Sequence, residues 1–298
     1  MAHIPVLLNE VINDLLIRKG GVLVDGTLGG GGHSRALALH AEGPITIVGL
    51  DRDASAIKTA AENLKDLDAK IILKKSDYRN FESVLIDYGI KKVDAFLLDL
   101  GFSSNQMDGN DDGQGRGFSF QRAEPLLMTL DDSPKDGDLT ARYIVNNWDE
   151  KNIETIIRNY GEEKHSKKIA KAIVEARKMG NIDNSLLLSE IITRAVGRRG
   201  KIHPATKSFQ ALRITVNDEL GALLETLPKM LEFLKPDGRI SVISFHSLED
   251  RIVKTFGKNN KTDLKILHKK PVIASAEEIT SNPRSRSAKL RTFQKISS

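Results

Sequence analysis

The chain contains no cysteine. Disulfides, cysteine-ligated zinc, iron–sulfur clusters and thiolate nucleophiles are therefore excluded together. Nor does any apolar run approach the ~18 residues of a membrane span. With 40% hydrophobic and 29% charged residues the composition is that of an ordinary soluble globular protein. The amino-terminal stretch MAHIPVLLNEVINDLLIRKGG lacks the basic head of a signal peptide and carries acids inside its apolar pattern. It is expected to form a helix of the folded protein, and the chain is expected in the cytoplasm. The last fifteen residues lack acids altogether while holding Arg284, Arg286, Lys289, Arg291 and Lys295. A second basic cluster places Arg198, Arg199, Lys201, Lys207 and Arg213 close together, and the net charge is +5. Either cluster suits a polyanion or a merely solvated face.

The 298 residues allow one large domain or a core domain carrying a smaller one. Short β-like runs at 21–25, 45–51, 69–75 and 93–99 alternate with helix-like stretches, the signature of a parallel sheet built from βαβ units. In the stretch DASAIKTAAENL, Asp53 or Ser55 is the expected cap and Ala56, Ile57, Ala60 and Leu64 the buried stripe. After Asp99 the periodicity stops for roughly forty residues, a length that more often marks a functional loop than filler. From Asp138 to about Gly200 the pattern is helical, and a strand pattern returns at 238–245 behind a helix-like run ending in Pro-Asp-Gly. These boundaries predict an α/β domain of residues 1–106 and 207–298, interrupted by a helical insertion at 107–206.

The run VLVDGTLGGGGHS passes from a strand ending at Asp25 through glycines into a helix near His33. Glycine lets backbone approach a ligand, and a helix start offers unpaired amides. No Gly-Lys-Ser/Thr follows, which excludes the P-loop. Asp51 ends the next strand, at the spacing where a carboxylate accepts hydrogen bonds from ribose hydroxyls. A dinucleotide and an adenosyl cofactor both remain open at this point. Two further strand ends carry polar residues: LLDLGFSS with Asp99, Ser103 and Ser104, and SFHSLEDR with Ser244, His246, Glu249 and Asp250. In the second, Ser247 is the expected helix cap, with Asp250 completing the box, and His246 fits a catalytic base or a structural histidine. In GRGFSF, Arg116, Phe118 and Phe120 could stack on splayed bases or anchor the loop to a core.

The segments HIPVLLNEV, DGTLGGGGHS, LDRDASAI, LLDLGFSSNQMD, RGFSF, ATKSFQALRI, SFHSLEDRIVK and NPRSRSAKLR resemble, in order and spacing, the bacterial 16S ribosomal RNA (cytosine-N4)-methyltransferases of the RsmH/MraW family. The resemblance runs from His3 to about Arg291. It implies a class I S-adenosylmethionine-dependent methyltransferase, with a Rossmann-like seven-stranded sheet and an all-helical inserted domain. The implied substrate is the exocyclic N4 of a cytidine in the decoding centre of the small ribosomal subunit. The implied cofactor positions are Gly31, Gly32, His33, Asp51, Tyr78, Asp99 and Gln106, with Phe81 as the alternative to Tyr78. Asp99, Ser103 and Ser104 are the catalytic candidates. Arg116, Phe118, Phe120, Arg198, Arg199, Lys207 and His246 are the expected RNA contacts. No metal and no membrane are expected, and the chain is expected to act as a monomer or homodimer.

One departure stands out. Where the family commonly has an acid and an arginine, the stretch PLLMTLDD has Leu127 and Thr129. It keeps alive a second reading, a ribosome-assembly factor that binds S-adenosylmethionine without turnover. DNA or protein methylation and a nicotinamide dehydrogenase are the remaining alternatives. Against C5 methylation of cytosine stands the missing thiolate. An amine target needs only positioning and an acceptor for its proton, with Asp99 or a group of LGFSS accepting and Phe118 or another loop aromatic supporting the ring.

Overall fold

The computed structural model describes residues 4–101, 115–197 and 202–297. The chain divides into two units, Met1–Gly101 with Leu220–Ser298, and Phe102–Glu219.

The first unit is a seven-stranded sheet made of β1 (Val22–Asp25), β2 (Ile45–Asp51), β3 (Ala69–Lys75), β4 (Val93–Asp99), β5 (Leu234–Ser244), β6 (Leu264–Ile266) and β7 (Lys289–Lys295). Their order is β3-β2-β1-β4-β5-β7-β6. The strands from β3 through β5 pair in parallel, and β7 is antiparallel to both β5 and β6. Alternation of side chains sorts the strands between two cores. Leu23, Ile47, Ala95, Leu97 and Ile243 face α1 (Leu8–Leu15) and α2 (Gly32–His40) through Val11, Leu15 and Leu37. Val24, Val48, Phe96, Leu98 and Val242 face the other way. There they meet α4 (Phe81–Asp87), α10 (Glu219–Phe233) and α11 (Ser247–Asn259) through Phe81, Leu227, Met230 and Phe256. Helix α3 (Ala54–Leu64) buries Ala60 and Leu64 beside Leu28. The chain steps outward from β1 to β3 and returns to β4 on the other side of β1, so the β1/β4 seam is the switch point. Ligands of open α/β sheets bind outside the carboxyl ends of the strands at such a seam.

The second unit holds α5 (Ala141–Asn147), α6 (Glu150–Gly161), α7 (Ser166–Arg177), α8 (Ser185–Val196) and α9 (Thr206–Asn217). Three of these start on an oxygen cap: Thr140, Asp149 and Asn184 accept from the amides of Tyr143, Asn152 and Leu187 at 3.1, 2.7 and 2.9 Å. Their inward residues, among them Ile144, Ile153, Ile169, Ile173, Leu188 and Leu212, form a core of their own.

Three expectations are corrected. The helix-like run before Pro-Asp-Gly is two helices, because Asp218 takes a left-handed backbone with φ 48°. Helix α9, with Phe209 and Leu212 buried in the helical core, therefore belongs to the insertion, and the boundaries lie at 101/102 and 219/220 and not at 106/107 and 206/207. Pro236-Asp237-Gly238 is not a turn ahead of the strand but an irregularity inside β5: pairing jumps from Val93–Leu234 to Ala95–Arg239, with Asp237 at φ 60°. Finally, α11 is capped by His246 and not by Ser247.

Candidate active site

Four acids mark the carboxyl edge of the first unit's sheet. Asp25, Asp51 and Asp99 end β1, β2 and β4, and Glu249 lies in the first turn of the helix after β5. The loop after β1 is strapped to its neighbours by backbone amides. Gly26 donates to the Leu97 carbonyl at 3.0 Å and Leu28 to that of Leu50 at 2.9 Å. Gly29 donates to Asp51 Oδ2 at 2.9 Å, while Asp51 Oδ1 accepts from the Asp53 amide, also at 2.9 Å. Asp51 thus closes the glycine loop onto α3.

Two of the glycines are needed for packing. Gly31 caps α2 at φ +77°, a conformation that L side chains rarely adopt. A Cβ on Gly32 would sit 2.6 Å from Pro5 Cγ. The loop is therefore shaped by its own neighbours as well as by any ligand, which sharpens the expected role of these residues. Gly26 is as tight, since a Cβ there would meet Tyr78 Cβ at 2.9 Å. Tyr78 opens a short 3-10 turn after β3 and is half-buried. The alternative aromatic, Phe81, is fully buried with its ring edge-on to Phe96, centroids 5.1 Å apart, and cannot reach a ligand.

Beneath the loop lies a buried polar chain. Ser34 Oγ donates to Asp25 Oδ2 at 2.7 Å, and the Thr27 amide donates to Asp25 Oδ1 at 3.2 Å. Thr27 Oγ1 in turn accepts from the Asp99 amide at 2.6 Å, which ties the ends of β1 and β4 together across the switch point. His33 Nε2 lies 2.9 Å from the Val6 carbonyl. A carbonyl only accepts, so Nε2 carries the proton and Nδ1 presents a bare lone pair 3.8 Å from Asp99 Oδ2. Burial pushes the Asp99 carboxyl up to about 7, with the charge of Glu249 adding to the rise. Burial likewise pushes Asp25 up to about 6, against the opposing pull of its Ser34 hydrogen bond and of His33. The same burial holds the His33 imidazole below its ordinary value.

Asp99 Oδ1 is buried and has no hydrogen-bond partner among the described residues. A buried acceptor without a donor is costly, on the order of 1–3 kcal/mol, and marks a place that a donor or cation would occupy. With Asp51 on one side of the seam and this orphaned oxygen on the other, the site offers carboxylate acceptors that fit the hydroxyls and positive charge of an adenosyl amino-acid cofactor and the reacting group beside it.

The remaining expected residues separate clearly. Ser103, Ser104, Gln106, Arg198 and Arg199 lie outside the described residues. His246 is a capping residue: its Nδ1 accepts from the Glu249 amide at 3.4 Å, and Glu249 Oε2 accepts from the amides of Phe245 and His246 at 2.9 and 3.2 Å. Arg116 and Phe118 correct the expectation of base stacking. Arg116 is buried and donates through Nη1 to the carbonyls of Thr129 and Leu130 at 3.1 and 2.8 Å, and Phe118 belongs to the helical core. Phe120 stacks on His203 with ring centroids 4.5 Å apart. Lys207 Nζ donates to the Glu162 carbonyl at 3.0 Å. Sequence reasoning missed Thr27 and Ser34 as parts of the polar chain, and the charge that Glu249 brings to Asp99; the signal was their place beside strand-end acids.

The MraW methylase family model matches residues 1–296 of this chain. Among curated relatives, ribosomal RNA small subunit methyltransferase H of Carboxydothermus hydrogenoformans is 44% identical over 317 residues, covering 99% of this chain and 98% of that protein. The protein of the same name from Sulfurihydrogenibium sp. is 46% identical over 299 residues, with 99% of each chain covered. That of Heliobacterium modesticaldum is 42% identical over 315 residues, covering 99% of this chain and 98% of its own.

Proposed function

The chain belongs to the MraW methylase family, and from that membership we propose that it methylates the exocyclic N4 of a cytidine in the decoding centre of 16S ribosomal RNA. It is a methyltransferase that uses S-adenosylmethionine and acts on ribosomal RNA of the small subunit. The observation that carries the finer reading is the buried Oδ1 of Asp99 at the switch point, which has no hydrogen-bond partner among the described residues. The cofactor, when bound, supplies a methyl group on a positively charged sulfur. In this reading Asp51 accepts from the ribose hydroxyls and Tyr78 packs on the adenine.

The N4 lone pair of cytosine is delocalised into its ring, so attack on the methyl carbon requires orientation and somewhere for the amine proton to go. The chain's part is to orient the amine and take up the one proton it gives up. Asp99 Oδ1 is the acceptor in this reading. A carboxyl near 7 is ionised beside a cation and takes up a proton readily once that charge has gone. No covalent intermediate is needed, consistent with a chain that has no cysteine for C5 chemistry. No helix among the described residues is long and apolar enough to cross a membrane, and in this reading the enzyme works in the cytoplasm, where its RNA substrate is.

The departure at PLLMTLDD is absorbed within the helical unit. The Thr129 carbonyl is bound by Arg116, Thr129 Oγ1 donates to the Asp131 carbonyl at 2.9 Å, and Met128 and Leu130 are tied to Asn217. It gives no support to the reading without turnover. The test is to methylate small subunits from a strain lacking this gene and locate the mark by mass analysis at nucleotide resolution. A single N4-methylated cytidine in the decoding centre is expected; a mark on a ring carbon, or elsewhere in the RNA, overturns the assignment.

A further inference from the structure

The basic stretch at 284–295 reads in the sequence as one run of five cations, yet the fold divides it. Arg291 is buried, with Nε donating to Asp250 Oδ1 at 2.6 Å, and Lys289 Nζ lies 3.5 Å from Asp250 Oδ2. Lys295 Nζ donates to the carbonyls of Leu231 and Leu234, both at 2.9 Å. Those three charges are spent on the fold. Arg284 and Arg286 are both exposed, and Arg286 makes no hydrogen bond or ion pair among the described residues.

The two arginines sit on a built turn. They belong to the 3-10 helix Pro283–Ser287, in which Ser285 is fully buried and its Oγ donates to the Asn282 carbonyl at 2.8 Å. With three residues per turn, an inward Ser285 sends its two neighbours outward on either side. Asn282, also buried, anchors the turn through Nδ2 to the Ile4 carbonyl at 3.1 Å, and Pro283 fixes the entry.

Topology fixes where this turn lies. It runs directly into β7, whose first residue, Lys289, pairs with Ser244 at the carboxyl end of β5. One residue earlier on β5, Ile243 pairs with Asp99. The helix before the turn, α12 (Ala276–Ser281), reaches the same edge from another direction: Glu278 Oε1 accepts from the Leu7 amide at 2.8 Å, next to the Val6 carbonyl that binds His33. Two exposed guanidinium groups on a braced turn thus stand at the strand edge that carries the reacting groups.

We propose that the Pro283–Ser287 turn is an RNA-backbone clamp, in which Arg284 and Arg286 bind phosphates flanking the target nucleotide and hold it at the carboxyl edge of the sheet. This rests on the RNA-substrate reading above. The guanidinium fork matches phosphate oxygens two at a time, and a braced turn loses less freedom on binding than a mobile tail. Contacts to phosphate position the strand and carry no sequence information.

The experiment compares the full chain with Arg284→Gln/Arg286→Gln and, as a control of equal charge change, with Lys254→Gln/Lys258→Gln on α11, which leads away from this edge. Binding to unmethylated 16S ribosomal RNA is measured from low to high salt, with methyl-transfer kinetics and S-adenosylmethionine affinity alongside. Losing two phosphate contacts lowers the slope of log affinity against log salt by about 1.4 for a single strand or about 1.8 for a duplex. KM for RNA should rise at least tenfold with kcat, cofactor affinity and thermal midpoint unchanged, the pattern of lost uniform binding. A slope and KM equal to wild type, or an equal loss in the control, overturns the clamp. If wild type itself neither binds nor methylates the RNA, the substrate reading fails first and the clamp fails with it.

Discussion

At the scale of single residues, Asp99 combines a functional position with a thermodynamic penalty. Its carboxyl sits at about 7 in the fold against 3.8 for the unperturbed group, so the folded chain binds an extra proton between those values. The corresponding stability is fully present below about pH 4 and is lost as pH rises through 7. Asp25, raised to about 6, acts in the same direction, whereas His33, with its value lowered, acts in the opposite one. A difference between variants isolates the Asp99 contribution. Asp99→Asn in the cofactor-free chain should match wild type at pH 4 and melt about 4 °C higher or more at pH 8. The same variant should lose roughly 100-fold or more in methyl transfer, the usual cost of removing a proton acceptor. Calorimetry across that pH range and single-turnover kinetics check both halves. A pH-independent difference in melting would sink the burial argument, and full turnover would sink the acceptor role.

At the scale of elements, the sequence was most legible where one force acted alone. The strands ending at Asp25, Asp51 and Asp99 were readable because apolar runs stop at a charge, and the cap of α3 was narrowed to Asp53 or Ser55, of which Asp53 holds it by accepting from the Ser55 amide. The cap at His246 was hidden, because its partner Glu249 binds back to two amides and displaces the expected serine. His246→Ala should therefore cost about 1 kcal/mol, the ordinary value of a lost cap, seen as a fall in the denaturant midpoint. His246→Asn, which can still accept, should recover most of it. If the alanine and asparagine variants are equally destabilised, the ring is held by packing and not by its capping bond. The glycine loop was legible as a ligand loop but not as a packing device, since Pro5 is far from Gly32 in sequence. Gly32→Ala, forced within 2.6 Å of Pro5 Cγ, should lower stability by roughly 1–3 kcal/mol even without cofactor. An unchanged cofactor-free melting curve would show that the amino-terminal segment simply moves aside.

At the scale of the whole molecule, the helical insertion was visible as a stretch without strands, but its end was not. The periodicity runs through Asp218 without a break; only its left-handed backbone separates α9 from α10. Long-range packing decided the boundary, because Phe209, Ala211 and Leu212 complete the core formed by Ile144, Ile153, Ile169 and Leu188. This makes the two units unequal in autonomy. Residues 102–219 contain every buried member of that core, so expressed alone they should be helical and unfold in one cooperative transition. Residues 1–101 alone should not. There β4 loses its pairing with β5, and the core around Phe81, Phe96 and Leu98 loses Leu227, Met230, Val242, Val253 and Phe256. Each such side chain contributes about 1.5–3 kcal/mol when fully buried, so the loss is comparable to the whole ~5–15 kcal/mol by which a domain is stable. Mixing 1–101 with 220–298 should restore a cooperative melt that neither fragment gives alone. Circular dichroism of the three fragments and of the mixture tests this, and a folded 1–101 fragment would show that the sheet's first half carries a sufficient core by itself.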